Sequence, residues 1–426
     1  MAEKIACGHF WVNILPTWPP NGMIKAVREE CPLKTLVELY DKEPLENVLT
    51  ACIFKPEMVV YICDERDSSM RKETAVDRLF KSRGLPCKAR FYYINTASPR
   101  NILRAFEAVL RDYPGCVFDC SGGKDLVLLG AGEFCKSRGI PMLYIDVARQ
   151  KFVDLGGCES LAPQFAIPQF SAEDVFALAG AKLVGYGHFA LDDIDAEFER
   201  DVFQVWPIVC KNPAAWGETV GFFQACSSGA REGQLQVDAP DVIRVNQQVT
   251  ARANLPVLER LADAGVIHGL EARGGRVRFA YKSELMKKSL QNQGIWLELY
   301  GYLTAKNSGL FHDVRTSVVV DWDNARGRDR STRNEIDILL ISGVTPVFIS
   351  CKMGVPTPLA LSEIKILSEK FGGERTKTVL LTGADIYNDN RPLAQRARDL
   401  GITLLDRGDL AKGDLARRLQ RLVAKA

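Results

Sequence analysis

Two short apolar runs, Ile336-Asp337-Ile338-Leu339-Leu340-Ile341 and Pro346-Val347-Phe348-Ile349, flank Ser342-Gly343-Val344-Thr345, and a turn of this kind between such runs predicts a β-hairpin. Side chains two apart on a strand share a face, so Glu335 and Asp337 point the same way, and so do Ser350 and Lys352. Carboxylates and an ammonium set among apolar strands are costly to bury unless something compensates them, such as a metal ion or a phosphate. The hairpin thus constrains both the local fold and where the chemistry must sit.

The rest of the chain gives that hairpin its setting. At 426 residues the length exceeds one ordinary core and favours two or three domains. With 46% hydrophobic and 25% charged residues, the composition is that of a soluble globular protein. The formal charge of +2 hides an asymmetry: residues 286–426 hold 22 Lys/Arg against 16 Asp/Glu, which leaves 33 and 37 in residues 1–285. A basic C-terminal third suits a polyanionic substrate. The 12 cysteines are scattered, many inside apolar runs, with no Cys-x-x-Cys pair and no zinc-type spacing, which reads as a reduced, cytoplasmic protein. The N-terminus lacks the apolar core of a signal peptide, and no apolar stretch approaches the ~20 residues that span a bilayer, so neither secretion nor membrane insertion is expected.

The N-terminal part alternates strand-like and helix-like segments. An apolar run over 10–15 and a helical stretch over 23–40 precede a strand at 58–63. A helix at 73–82, a strand at 89–94, a helix at 102–111, a strand at 116–120, a helix after Lys124 and a strand at 141–146 follow. This βαβα order predicts a parallel, doubly wound sheet whose ligands sit at the carboxyl ends of its strands. Between Asp241 and Lys282 the pattern becomes a helix, 255–264, and a two-strand wing around Gly274-Gly275, either a small winged-helix connector or a generic linker domain. From Asn292 a new unit begins: a helix through Trp296, Glu298 and Tyr300, the hairpin, a helix over 359–371, a strand over 378–381, a helix over 391–400, a strand over 402–405 and a closing helix. Expected domains are 1–165, a connector over 166–285, and 286–426.

In the last unit Asp337 is a hard oxygen ligand suited to Mg²⁺ or Mn²⁺, and Lys352 is a point charge able to orient water or balance a phosphate. The Cys351 carbonyl and Glu298 are further candidate ligands. Asp337 followed thirteen residues later by Ser350-x-Lys352, with Glu298 on a preceding helix, resembles the PD-(D/E)xK nuclease motif over roughly residues 292–410. Ser350 stands where the motif has an acid; Glu335, Glu298 or Glu363 would have to supply the missing carboxylate, or metal binding is weaker than in the family. Taken alone, Glu335 also reads as a solvated strand start and Glu363 as an exposed helix residue. Arg326, Arg328, Arg330 and Arg333 could grip phosphates or lie in a solvated loop with Asp321, Asp323 and Asp329.

In the first unit Ser121-Gly122-Gly123-Lys124-Asp125 lies between a strand and a helix, where glycines let backbone N–H groups approach a phosphate at a helix N-terminus. The loop through Thr17, Pro20 and Asn21 is placed at the same sheet edge. Ser-Gly-Gly-Lys-Asp resembles the pyrophosphate loop of ATP pyrophosphatases, and its late position together with the Pro19-Pro20-Asn21 loop resembles the CARF domain, a Rossmann-like sensor of cyclic oligoadenylate. Lys124 lies one position early for that family, and Asp125 stands where it has Lys. A structural Gly turn is the third reading.

Together the two ends resemble CRISPR-associated ancillary nucleases of type III immunity, in which a CARF domain is joined to a restriction-endonuclease-like α/β domain. That resemblance implies a homodimer binding cyclic tetra-adenylate or a relative across its two-fold axis through Thr17, Pro20, Asn21, Ser121, Gly122, Gly123 and Lys124. It also implies metal-dependent cleavage of DNA and/or RNA with Asp337, Lys352, Glu298 and Glu335 in the catalytic centre, and with Asp337, Glu298 and Cys351 as the Mn²⁺ or Mg²⁺ ligands. An adenylating enzyme built on the Ser-Gly-Gly-Lys-Asp loop and a catalytically silent ligand-binding regulator are the alternatives.

Overall fold

The computed structural model of the chain describes residues 33–43, 45–67, 70–187, 194–228, 231, 233–322 and 333–424. Its first sheet is built from β1 (Thr35–Leu39), α1 (Leu49–Phe54), β2 (Met58–Asp64), α2 (Met70–Ser82), β3 (Lys88–Ile94), α3 (Pro99–Asp112), β4 (Val117–Asp119), α4 (Asp125–Arg138), β5 (Met142–Asp146) and β6 (Lys151–Gly156). The strand order is β3-β2-β1-β4-β5-β6, parallel throughout except for β6, which runs antiparallel to β5 at the edge. This is the doubly wound sheet that the alternating pattern predicts. One expectation is corrected: residues 35–39, read as the end of a helix over 23–40, form the central strand β1. Every residue of that strand is buried because helices cover both faces, and a run buried on both sides carries no period that separates strand from helix.

The second sheet has the order β17-β16-β15-β14-β13-β7. The chain beyond β6 runs through α5 (Ala172–Leu178), β7 (Lys182–Tyr186), α6 (Ala196–Lys211), α7 (Pro213–Ser227), β8 (Gln236–Pro240), β9 (Val242–Arg244), β10 (Thr250–Arg252), α8 (Leu255–Asp263), β11 (Ile267–Arg273), β12 (Arg276–Tyr281), α9 (Glu284–Leu290) and α10 (Ile295–Asn307), followed by β13 (Asp313–Asp321), β14 (Arg333–Ser342), β15 (Thr345–Lys352), α11 (Pro358–Gly372), β16 (Lys377–Thr382), α12 (Ile386–Asp389), α13 (Arg391–Asp399), β17 (Ile402–Leu405), α14 (Arg407–Ala411) and α15 (Leu415–Ala424). The expected hairpin is β14–β15, antiparallel with Ile338 opposite Ile349, turning at Gly343 with φ 62°. β15, β16 and β17 are parallel, so their carboxyl ends share one edge. Residues 166–285 do not stand apart from this sheet. β7 pairs with β13 at its edge, and α5 shares its apolar layer with Phe348 and Phe371 through Phe176. The wing expected at Gly274-Gly275 is the β11–β12 hairpin, in a three-stranded sheet with β8.

One continuous core joins this small module to α10, with Trp216 edge-on to Trp296 at 5.8 Å and Trp206 stacked on Tyr300 at 4.4 Å. Aromatic pairs of this kind contribute about 0.5–1.5 kcal/mol beyond their buried area. The two large sheets are also tied together. Arg83 bonds Asp174 at 2.6 Å, Arg375 bonds Glu46 at 2.5 Å, the Glu374 amide donates to Glu43, and the Phe170 amide donates to the Gly343 carbonyl.

Candidate functional site

α10 lies across the second sheet with Gly301 turned toward it, so close that a Cβ there would stand 2.8 Å from Ile338 Cδ1. That close seat lowers the first turn of the helix onto the hairpin and buries most of Glu298, whose Oε2 has no hydrogen-bond partner. Desolvation, then the charges of Asp337 and Glu335, push the Glu298 carboxyl up to about 8, with Lys352 opposing them. The same neighbours act on the buried Cys351 thiol, which is pushed well above its ordinary value by burial and by the carboxylates of Asp337 and Glu298. Asp337 accepts from the Cys351 amide at 2.6 Å and from the Ser350 hydroxyl at 3.2 Å, and its Oδ2 lies 3.8 Å from Lys352 Nζ. Asp337 and Lys352 therefore reach the same side of the sheet. Gly187, at the end of β7, abuts the Glu335 carboxylate, so a side chain at 187 would displace it.

Ser350 thus spends its hydroxyl on Asp337, and the Glu298 carboxyl near Asp337 keeps a buried oxygen without a hydrogen-bond partner. A buried carboxyl with an unpaired oxygen, next to a second carboxylate and a lysine, is a donor set that fits a hard cation. Among the described residues no three His, Cys, Asp or Glu side chains converge closely enough to enclose a metal unaided. An ion here would rest on two carboxylates, a main-chain oxygen and water, which is how Mg²⁺ is usually held. Glu363 lies exposed on α11. Arg333 opens β14 opposite Asp321, whereas Arg326, Arg328 and Arg330 lie outside the described residues.

The second candidate lies where the strand order of the first sheet reverses, between β1 and β4. Ligands of open α/β sheets bind at such switch points. Residues 120–124 leave β4 there, and Gly122 packs on Asp41 and Glu46, which follow β1. The fit requires glycine twice: a Cβ at Gly122 would stand 2.9 Å from Glu46 Cβ, and Gly123, at φ 122°, faces Leu39 Cβ at 2.8 Å. The Gly123 amide donates to Asp41 at 2.8 Å. Ser121 is held inside the fold, donating to Asp119 and accepting from the Ile145 amide at 2.8 Å. Lys124, just before α4, reaches Asp64 at 2.5 Å, and hydrogen bonds from Arg66, Lys124 and Thr96 hold the Asp64 carboxyl well below its usual range. Beneath the loop the register partners Glu38 and Asp119 are both buried, and desolvation raises both carboxyls. Thr17, Pro20 and Asn21 lie outside the described residues.

Asp41, Glu46, Asp64 and Thr96 were not among the residues singled out by sequence. Their signal is positional, since each lies at or just beyond the carboxyl end of a parallel strand, and for Asp41 and Glu46 it becomes visible only once β1 is placed. Among the described residues the cysteines are free thiols, and no helix is long and apolar enough to cross a membrane.

No protein-family model matches the chain, and no curated protein does. Solved structures do. Protein VC1899 from Vibrio cholerae superposes with a TM-score of 0.71 at 17% identity, over 92% of this chain and 98% of its own. Can2 from Sulfobacillus thermosulfidooxidans, in complex with cyclic tetra-adenylate, superposes with a TM-score of 0.66 at 14% identity, over 92% of this chain and 99% of its own. A type III CRISPR defence DNA nuclease activated by cyclic oligoadenylate aligns at 0.40 and 13% identity, over 84% of this chain and 47% of its own, too remote to bear on the fold. Across both sheets and the module between them, the chain has the fold of VC1899 and Can2.

Proposed function

We propose that the protein is a nuclease switched on by a cyclic oligoadenylate: a divalent-cation-dependent endonuclease of the PD-(D/E)xK class, acting on DNA and/or RNA phosphodiester bonds in type III CRISPR antiviral defence in the cytoplasm. The observation that carries this reading is the convergence of Glu298, Asp337 and Lys352, with an unpaired buried carboxyl oxygen at its centre. Asp337, Glu298 and the Cys351 carbonyl would hold Mn²⁺ or Mg²⁺. When bound, the ion supplies polarisation of the phosphate and a more acidic water. Lys352 balances the charge that builds on the phosphate oxygens and orients the attacking water. Glu335, on the same strand face, adds negative charge that favours the cation.

The fold shared with Can2, which was captured with cyclic tetra-adenylate, supports the same ligand class at the switch-point crevice. There Gly122, Gly123 and Lys124 would meet phosphates, Ser121 would hold their loop in place, and Thr17, Pro20 and Asn21, outside the described residues, would contribute contacts to the same ligand. A symmetric ligand suits a homodimer that presents the same loops twice. Activation then requires tighter ligand binding to the active arrangement than to the resting one.

The test is incubation of plasmid and single-stranded RNA with the protein and Mn²⁺, with and without cyclic oligoadenylates of different ring sizes. Cleavage that needs both ion and ligand is expected. Pyrophosphate release from ATP with nucleic acid untouched would move the assignment to the adenylating reading.

A further inference from the structure

Three residues of the loop over 121–124 already give their donors to carboxylates. The Ser121 amide and hydroxyl are on Asp119, the Lys124 ammonium is on Asp64 at 2.5 Å, and the Gly123 amide is on Asp41 Oδ2 at 2.8 Å. The three acids differ in what else holds them. Asp119 is fully buried and also accepts from Thr50, whereas Asp64 is 3% exposed and also accepts from Arg66 and Thr96. Asp41 is half-buried, and beyond Gly123 its carboxylate is held by the Glu43 amide of its own loop, at 2.9 Å. It is the one of the three that can leave. Its oxygen sits where a bound phosphate oxygen would, on a main-chain N–H just before the first turn of α4.

The loop that carries Asp41 is closed on itself by Asn47, which accepts from the Asp41 amide at 2.7 Å and donates to the Asp41 and Glu43 carbonyls at 2.9 and 3.2 Å. Asp41, Glu43 and Asn47 are thus tied into one unit. The other side of that unit is seated on the second sheet: Glu43 accepts from the Glu374 amide at 2.9 Å, in a turn where Gly373 leaves room for it, and Glu46 pairs with Arg375 at 2.5 Å. Beside it a cavity of about 140 Å³, walled by Leu45, Phe170, Val344 and Phe371, gives the loop space to shift.

We propose that Asp41 is a resident stand-in for a ligand phosphate. An incoming anion takes the Gly123 amide, the Asp41 carboxylate leaves it, and the loop through Glu43 and Glu46 changes its hold on Glu374 and Arg375. The inference rests on the ligand reading above and adds to it the residue that sets affinity and the contact through which occupancy is felt in the second sheet. Two anionic oxygens repel each other at hydrogen-bond distance from one N–H, so phosphate and Asp41 exchange rather than share the site.

The test titrates cyclic tetra-adenylate, and separately inorganic pyrophosphate, into the full chain and into Asp41→Asn by calorimetry. The side-chain amide keeps the size of the carboxylate and one acceptor for Gly123, and the melting temperature checks that the variant is folded. Asp41→Asn should bind both anions about tenfold tighter, the difference between giving up a hydrogen bond to a charged acceptor and one to a neutral acceptor. Asp41→Ala, which leaves the Gly123 amide free, should bind at least as tightly as Asp41→Asn. Asp125→Asn removes an exposed charge at the start of α4 and should change affinity by less than about threefold, as a screened surface charge does. Deuterium exchange at the Glu374 amide should rise when the parent takes up either anion. Equal or weaker binding by Asp41→Asn, an equal gain in Asp125→Asn, no uptake of either anion by any chain, or uptake that leaves exchange at Glu374 unchanged overturns the proposal. Pyrophosphate bound more tightly by Asp41→Asn, with the rise in exchange at Glu374 but with cyclic tetra-adenylate taken up by neither chain, removes the cyclic-oligoadenylate reading and leaves Asp41 as the stand-in.

Discussion

Glu298 holds its carboxyl among apolar side chains and two other acids, and its ionisation is therefore tied to the fold. Its folded value, about 8, lies above the ordinary carboxyl value of 4.5. Between those two pH values the folded chain keeps a proton that the unfolded chain has released, so this group lowers stability as pH rises from about 4.5 to 8. Glu298→Gln removes the penalty. Thermal melting without divalent ions should show the variant matching the parent near pH 4.5 and melting higher at pH 8.5. A cation favours the ionised form, so Mn²⁺ should raise the parent's melting temperature more at pH 8 than at pH 6, where it must first displace a proton. The Gln variant should lose most of that gain; an equal gain in both chains would separate Glu298 from the ion.

At the level of elements, what positions Glu298 is the seat of α10 on the sheet. Gly301 allows it, since a Cβ there would meet the tips of Ile338 at 2.8 Å and Leu381 at 3.1 Å. Gly301→Leu should cost about 1–3 kcal/mol, the usual range for overpacking a core, measured by denaturant unfolding. Because it lifts the helix, it should also depress metal-dependent cleavage while leaving cyclic tetra-adenylate binding intact. The hairpin, α10 and the Asp337–Lys352 proximity were legible in the sequence because each rests on a local pattern: a turn between apolar runs, a period of two on strands, a short connection. β1 was misread because its residues are buried on both faces and show no period. β7 was missed because its partner β13 lies more than a hundred residues away, and pairing over that distance leaves no local trace. With β1 misplaced, the loop carrying Asp41 and Glu46, which packs on Gly122 and Gly123, could not be recognised either.

On the scale of the whole molecule, the crevice and the catalytic candidate belong to different sheets, and a chain of contacts runs from one toward the other. Gly122 packs on Glu46, Glu46 binds Arg375, and Arg375 stands just before β16, which runs beside the strand that carries Lys352. Burial raises the Glu46 carboxyl and Arg375 opposes that shift. Arg375→Ala leaves Glu46 unpartnered at a cost of about 1–3 kcal/mol, the range for a charged hydrogen bond lost with its partner left behind. The ratio of cleavage rates with and without cyclic tetra-adenylate should fall in that variant, while Mn²⁺ dependence is kept; an unchanged ratio would exclude this route of coupling. The most direct measurement follows cyclic tetra-adenylate binding and Mn²⁺-dependent strand cleavage in parallel on the parent chain and on Lys352→Ala. Lys352→Ala should bind the ligand as the parent does and lose cleavage by a factor of at least about 10², the lower end for a positioned proton-transfer or charge-stabilising group, whereas turnover retained in that variant would contradict a catalytic centre at Glu298, Asp337 and Lys352.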